Sequence, residues 1–521
     1  MIIINDIILT PDDSEDRVFE IAKRRLHGEI PESLKIRKKA VDTRRSVRLV
    51  YSVSAHFSEA MEKRLAGRDK KLVYRQETEK TEIPICFEMK NPPVVVGFGP
   101  GGMFCALTLA RAGLKPMVIE RGSCIEKRQL LVEKFWAGGV LSQTNVQFGE
   151  GGAGTFSDGK LTTGINSSLC DNVLNDFVKF GADDAILTAA KPHIGTDVLR
   201  GIVKNIRREI ERLGGKVLFD TKLTGLDIKN NRITGVRTTA GELPCDTLVL
   251  ALGHSARDTQ EMLLKNGFEM EKKPFSVGVR LEQKQETVDV AMYGEYAGHP
   301  ALPPAEYKLS HREGQRGVYS FCMCPGGYVV ASASEEGGVV TNGMSLHGRD
   351  GENANAAIAV SVLPDDLEND VLSGARFQRM LEQKAFELGG SNYFAPCQKT
   401  TDFVEGRKGD LNSSVVPTYR PGVRAADLND AMPKFVCDML KSGFAVFDKG
   451  RNGFNSMGGV LTGVETRTSS PVRILRDDSL QAASCRGVYP CGEGAGYAGG
   501  IMSAACDGMK IAMKIIEQTV S

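Results

Sequence analysis

No excess of charge of either sign marks this chain. Its 521 residues carry 66 Lys and Arg against 65 Asp and Glu, so a whole-molecule attraction to nucleic acid or membrane is not indicated. No apolar stretch approaches the length of a bilayer span. The N-terminus, MIIINDIILTPDDSED, has no basic segment and turns acidic after one short apolar run, so it is not expected to be a secretory leader. Twelve cysteines form no Cys-x-x-Cys pair and no repeated spacing, which fits reduced thiols and a cytoplasmic protein rather than a disulfide framework. There is no internal repeat, no low-complexity tract and no metal-ligand pattern to assign. The length exceeds one simple core, and two or three domains are expected. What is plentiful is glycine, 57 residues, implying many tight turns and close backbone approaches.

Residues 1–90 read as a separate unit. IIINDIIL is a strand, and PDDSEDRVFEIAKRRL is a helix, acidic at its start and basic at its end, as the helix dipole favours. LKIRKKAVD and SVRLVYSVSA alternate as two strands, and SEAMEKRLAG is a short helix opened by Ser58. A late strand near Ile83 to Phe87 would complete a β-α-β-β-α-β order, a ferredoxin-like sandwich, before a linker at Lys90 to Pro93. KIRKKAVDTRRSVR sets Lys35, Arg37, Lys38, Lys39, Arg44, Arg45 and Arg48 against one acid, Asp42. These charges form either a basic face for RNA or another polyanion, or a solvated sheet face. No aromatic-rich stacking motif supports RNA.

Two stretches match Gly-x-Gly-x-x-Gly. In VVVGFGPGGMFCALTLARAGLKPMVIERG a short buried strand runs into the turn. Gly97 permits that turn, Gly99 lets backbone approach a pyrophosphate, and Gly102 lets helix and strand pack closely, with Pro100 and Gly101 between them. The helix that follows buries Ala106, Leu109 and Ala110 and ends at Gly113. A second strand delivers Glu120, where a carboxylate can bind both ribose hydroxyls. The other match, GEGGAGTFSDGK, has no strand before it and no helix after it. It reads as a glycine-rich loop on the same cofactor, through Gly151, Gly152, Thr155, Ser157, Asp158 and Gly159, or else as a plain surface loop.

The C-terminal GVYPCGEGAGYAGGIMSAACDGMKIAMKIIEQ resembles the closing motif of FAD enzymes with the glutathione-reductase-like flavin fold. The resemblance implies that Gly492 and Glu493 hold the ribityl chain. It also implies that the turn through Gly499, Gly500, Ile501 and Met502 opens a helix aimed at the flavin pyrimidine. DTLVLALGHSARDT resembles the strand-turn that closes over the cofactor, with Ala251, Gly253 and His254 at the turn. TKLTGLDIKNNRITGVRTTAGE resembles the β-meander, where a backbone group of Leu223 meets the adenine. Through NVQFGEGGAGTFSDGKL, LALGHSARDT, SFCMCPGG, TNGMS and YPCGEGAGYAGGI the chain is similar to a bacterial family labelled FAD-dependent dehydrogenases, a label that names no substrate. The expected class is α/β. A Rossmann-like FAD-binding domain (91–268 and 456–521) is interrupted by an inserted α+β substrate domain (269–455) and preceded by the ferredoxin-like α+β module (1–90).

FAD, bound non-covalently, would carry the redox chemistry while the protein supplies position and electrostatics. The helix near Ile501 would favour the anionic reduced flavin by roughly 0.3–2 kcal/mol. Arg121 and Arg128 either reach phosphate or lie in solvent. The candidate catalytic residues are His254, as an acid/base, a polariser of a flavin carbonyl or a packed structural histidine, with Lys160 and Arg467 as anion or flavin contacts. Cys322 and Cys324 read as buried inert thiols, since a disulfide across Cys-x-Cys is strained. No CxxxxC follows the first βαβ, so the mechanism of a disulfide reductase is disfavoured. No second βαβ fingerprint exists either. NADH or NADPH is then expected to visit the substrate pocket, unless a partner protein delivers electrons. The leading expectation is hydride transfer to a small organic substrate, anionic if the cations face it. The alternatives are an RNA- or protein-associated flavoprotein, or a flavin binder without turnover.

Overall fold

The structure, a computed structural model, describes all residues except 67, 68, 77–82, 87, 88, 450–454 and 521. The chain opens with β1 (Ile2–Leu9), α1 (Asp16–Arg25), β2 (Ser33–Asp42), β3 (Arg48–His56), α2 (Glu59–Ala66) and β4 (Leu72–Tyr74). The four strands form one sheet in the order β2-β3-β1-β4. Ile2, Ile4 and Ile7 of β1 pack with Val18 and Ala22 of α1, the apolar stripe of a helix that is acidic at Asp16 and basic at Lys23, Arg24 and Arg25. The last strand lies earlier than the expected Ile83–Phe87. Leu72 of β4 is buried and pairs with Ile4, filling the edge of β1 directly after α2. Ile83 to Cys86 holds no strand. Pro84 there lacks the N–H a ladder needs, Ile85 is 85% exposed, and Phe87 lies outside the described residues. The basic face is partly neutralised, Lys39 by Glu15 at 3.1 Å and Arg44 by Asp42 at 2.9 Å. At the edge of β2, Lys39 exchanges backbone hydrogen bonds with Thr188 and Ala190.

Next come β5 (Val94–Val96), α3 (Pro100–Arg111), β6 (Met117–Ile119), α4 (Ile125–Trp136), α5 (Leu169–Lys179), α6 (Thr196–Arg212) and β7 (Lys216–Leu218). A meander of β8 (Leu223–Lys229), β9 (Arg232–Thr238) and β10 (Gly241–Pro244) leads to β11 (Leu248–Leu250) and α7 (Arg257–Lys265). The intervening segment begins with β12 (Met270–Lys272), β13 (Phe275–Lys284) and α8 (Gln285–Tyr293). It continues through β14 (Ser310–Glu313), β15 (Arg316–Cys324), β16 (Gly327–Ala331), β17 (Thr341–Ser345) and β18 (Asn353–Val362). Then follow α9 (Ser373–Gly389), β19 (Ala395–Lys399), α10 (Thr400–Glu405), β20 (Val423–Ala425), α11 (Lys434–Phe447) and β21 (Val460–Glu465). The chain closes with β22 (Val472–Ile474), β23 (Val488–Pro490) and α12 (Ile501–Val520).

Two sheets matter for the site. A five-stranded sheet runs β23-β11-β5-β6-β7, parallel throughout, so the carboxyl ends of its strands share one rim, where ligands of such sheets bind. A seven-stranded sheet runs β14-β15-β18-β13-β21-β19-β20. The sequence reading returns to the flavin domain at residue 456, but β21 pairs with β13 from Glu282↔Val460 to Gly278↔Glu465 and belongs to the second sheet. Its VLTGVE run is buried at every position, as a central strand must be. The re-entry is made by β22, which pairs with β12.

α12 lies along α3 with no room between them: a Cβ on Gly508 would stand 2.0 Å from the Gly101 carbonyl oxygen. Gly508→Ala is expected to push the two helices apart and to cost about 1–3 kcal/mol, read as a lowered thermal midpoint. An unchanged midpoint would show that this approach carries no stability.

Candidate functional site

A cleft of about 330 Å³ opens between the rim of the parallel sheet and the seven-stranded sheet. Its floor is backbone. Gly97 has φ +98°, and a Cβ there would stand 2.2 Å from the Ala251 carbonyl oxygen. Gly99 caps α3 with Pro100 in the first turn, and Gly101 lines the cleft beside them. Gly102 does not line it; a Cβ at Gly102 would meet Gly97 O at 1.9 Å, so this glycine serves the packing of helix on strand.

The glycine-rich loop after Phe148 lies against the first one. A Cβ on Gly152 would come within 2.8 Å of Gly99 Cα. Gly152, Ser157, Asp158, Gly159 and Lys160 line the same cleft, while Gly151 and Thr155 do not. Thr155 turns inward to the Glu150 carbonyl. Arg128 is also away from the cleft, which corrects both sequence readings of it. It is fully buried, and its guanidinium donates to the carbonyls of Asn145 at 3.0 Å, Val146 at 2.9 Å, Gly149 at 3.2 Å and Glu150 at 2.5 Å. It clamps the loop from behind and reaches no phosphate position. Arg121 is likewise committed, to Asp258 at 2.9 Å and over the Phe148 ring at 4.3 Å.

Glu120 reaches the cleft with a nearly buried carboxylate. It accepts from the N–H groups of Phe98, Gly122 and Gly149, each at 2.9 Å, which ties both glycine loops to one side chain. Beyond it a small cavity of about 30 Å³ is lined by Arg121, Thr221, Leu223 and Thr259. At the other end stand Ala251, Gly253, His254, Gly492, Glu493, Gly500 and Ile501. Met502 is 2% exposed and packs in the core instead. His254 Nδ1 lies 3.2 Å from Glu493 Oε1, while its buried Nε2 has no partner within the protein. A buried ring nitrogen left open needs a partner.

The far wall carries Phe321, Cys322, Asn342, Glu465, Arg467 and Thr468. Sequence reasoning missed Glu465 as a lining residue although it stands two residues from Arg467. It is paired with the fully buried Arg280 at 2.6 Å. Arg467 is held by Glu382 at 2.9 Å, and Glu382 also takes Arg257 at 2.8 Å, all three buried. Burial alone would raise the Glu382 carboxyl, yet Arg467 and Arg257 hold it well below the usual carboxylate range. Lys160 pairs with Asp158 at 3.0 Å and lies 3.7 Å from Glu306, and Arg349 grips Asp158 at 2.5 Å. The two cations expected to meet an anionic substrate each also hold an internal acid, Lys160 with Asp158 and Arg467 with Glu382.

The long glycine-floored groove, a carboxylate at each end and the open imidazole nitrogen fit an extended dinucleotide such as FAD. A family model described as pyridine nucleotide-disulphide oxidoreductase matches residues 92–292, and one described as FAD-dependent protein, C-terminal domain-like, matches residues 274–468. A protein of Clostridium beijerinckii (strain ATCC 51743 / NCIMB 8052), described as an uncharacterized protein, is 46% identical over 526 residues, 99% of this chain and 98% of its own length. The chain belongs to this family of FAD-dependent oxidoreductases. It is also similar to the solved glycine oxidase from Bacillus cereus ATCC 14579, at 11% identity over 82% of this chain and 95% of that one, TM-score 0.31. For L-proline dehydrogenase from P. horikoshii the figures are 13%, 83%, 95% and 0.33. Likenesses this remote say nothing about substrate. Among the described residues, no group of His, Cys, Asp and Glu is placed to hold a metal, and no helix is long and apolar enough to cross a membrane.

Glu382→Gln would leave two buried guanidiniums short of a counter-charge. The expected loss is about 3–5 kcal/mol at neutral pH, measured by urea unfolding. The native carboxyl is lowered, so its contribution is complete above the unfolded value of about 4.3 and fades as pH falls below it. The gap between wild type and variant should therefore close in acid, and a gap that widens there would contradict the pairing.

Proposed function

We propose that this chain binds FAD non-covalently along the cleft and oxidises or reduces a small organic substrate held between the two sheets. The Gly97–Gly102 turn with Gly152 would hold the pyrophosphate, and Glu120 the ribose. Leu223 would meet the adenine, Gly492 and Glu493 the ribityl chain, and Gly500 and Ile501 the pyrimidine edge. When bound, FAD supplies hydride transfer at its N5. NADH or NADPH as reductant would enter the same pocket, since among the described residues a second dinucleotide fold is not seen. Residues 1–90 are read as a ferredoxin-like module and β13 to β21 as the substrate domain.

The observation that carries the catalytic part is His254. Its Nδ1 lies 3.2 Å from Glu493 Oε1 and its Nε2 has no partner within the protein, so His254 would serve as the general base with Glu493 holding the ring. The same Glu493 carboxylate orients the ring and stabilises the imidazolium that forms when Nε2 takes a proton. Lys160 and Arg467, each held by acids, shape the wall and exclude water rather than collect charge.

The purified protein should be yellow, and acid should release FAD; release of FMN, or of nothing, would overturn the cofactor site. His254→Gln should keep its flavin and slow the half-reaction with substrate by about 10²–10⁴-fold. An unchanged rate returns His254 to a packing role.

A further inference from the structure

The Cys-x-Cys of β15 was expected to be inert, and the structure gives it a different setting. A regular strand rises about 3.3 Å per residue, so alternate side chains stand roughly 6.6 Å apart, whereas a disulfide needs Cβ atoms about 3.8 Å apart. β15 is not regular here. Its register against β18 slips between Phe321 and Cys324, and Cys322 takes φ +45°. This bulge turns the Cys324 side chain back toward its neighbour but one, so that the Cys324 thiol donates to the Cys322 carbonyl at 3.3 Å. Cys322 lines the cleft, while Cys324 behind it is fully buried.

Two cations fasten the bulge. Arg280 donates to the Cys322 carbonyl at 2.9 Å, and Lys160 donates to the Met323 carbonyl. Their fields add to the effect of the neighbouring Cys324 thiol. The neighbouring Cys324 thiol first, and Arg280 and Lys160 after it, bring the Cys322 thiol below its ordinary value in spite of burial, while the Cys324 thiol is raised. The pair is thereby divided into an outer sulfur with thiolate character that faces the cleft and an inner sulfur that keeps its proton, the asymmetry that thiol exchange uses.

We infer that Cys322 and Cys324 are a redox-active dithiol whose two-electron partner is the bound flavin across the cleft. This rests on the FAD reading above. As the disulfide forms, two S–H bonds break and one S–S bond forms. Two electrons and one proton pass to oxidised flavin, leaving its anionic reduced form, and the second proton leaves to solvent. The reverse takes two electrons from reduced flavin and two protons. The pair stands on the substrate-side sheet, not after the first βαβ, which is why a search for CxxxxC passes over it.

The test uses the full-length holoprotein and its Cys322→Ser and Cys324→Ser variants. Air-oxidised wild type should take up about four electrons per flavin in an anaerobic dithionite titration, and either variant about two, because the thiol couple adds two. After alkylation and trypsin digestion, the peptide Gly317–Arg349, which holds both cysteines and no other, should be about 2 Da lighter in the air-oxidised holoprotein. It should become doubly alkylated once the flavin is reduced. A yellow wild-type protein that takes up only two electrons and alkylates at both cysteines in air overturns the inference. A protein without flavin absorbance overturns the FAD reading instead. If a variant fails to fold, the wild-type peptide mass alone decides.

Discussion

Two guanidinium groups, from Arg257 of α7 and Arg467 after β21, meet on the single carboxylate of Glu382 on α9. Arg257 is 2% exposed and Glu382 is 1% exposed. Ions taken this far from water cost several kcal/mol each unless paired with good geometry. The pairing therefore tolerates little displacement of α9 against α7. Since α7 follows the turn that carries His254, and Arg467 lies on the cleft wall, this one carboxylate ties the floor of the cleft to its far wall. Glu335, bonded to both Arg257 and Arg379, extends the clamp to the partly exposed rim.

The floor obeys a different constraint, that of backbone meeting backbone. Gly97 sits against Ala251, Gly102 against Gly97, and Gly152 against Gly99, at distances no Cβ permits. The two glycine loops are thus one surface with two segments. Glu120 accepts from both, and Arg128 fixes the second from beneath through main-chain carbonyls alone. The floor of the cleft is held by main-chain contacts and two side chains.

How much of this was legible follows from how local each signal is. The βαβ at Val94 to Glu120 was readable because strand, glycine spacing, helix and acid all lie within one short segment. The second glycine loop was readable by exclusion, having no strand or helix of its own. Arg128 was not readable. An arginine in the first turn of a helix looks solvated, and its carbonyl partners, about 17 to 22 residues away, follow no periodic rule. The edge at β4 was misplaced because two candidate apolar segments competed for β1, and the nearer one, Leu72–Tyr74, took it. The placement of β21 in the inserted sheet depends on pairing with β13 across about 180 residues, which no window of sequence contains. The slip of β15 against β18 between Phe321 and Cys324 is equally non-local.

The charge pattern of the cleft then bears on what it accepts. Lys160 and Arg467 are the lysine and arginine that line it, and each already serves an internal acid, Asp158 and Glu382. Glu120, Glu465 and Glu493 add carboxylates on the same surface. A further carboxylate on this wall would compete with an internal one for a cation whose pairing sustains it. Beside these charges the cleft presents Phe321, Cys322, Asn342 and Thr468.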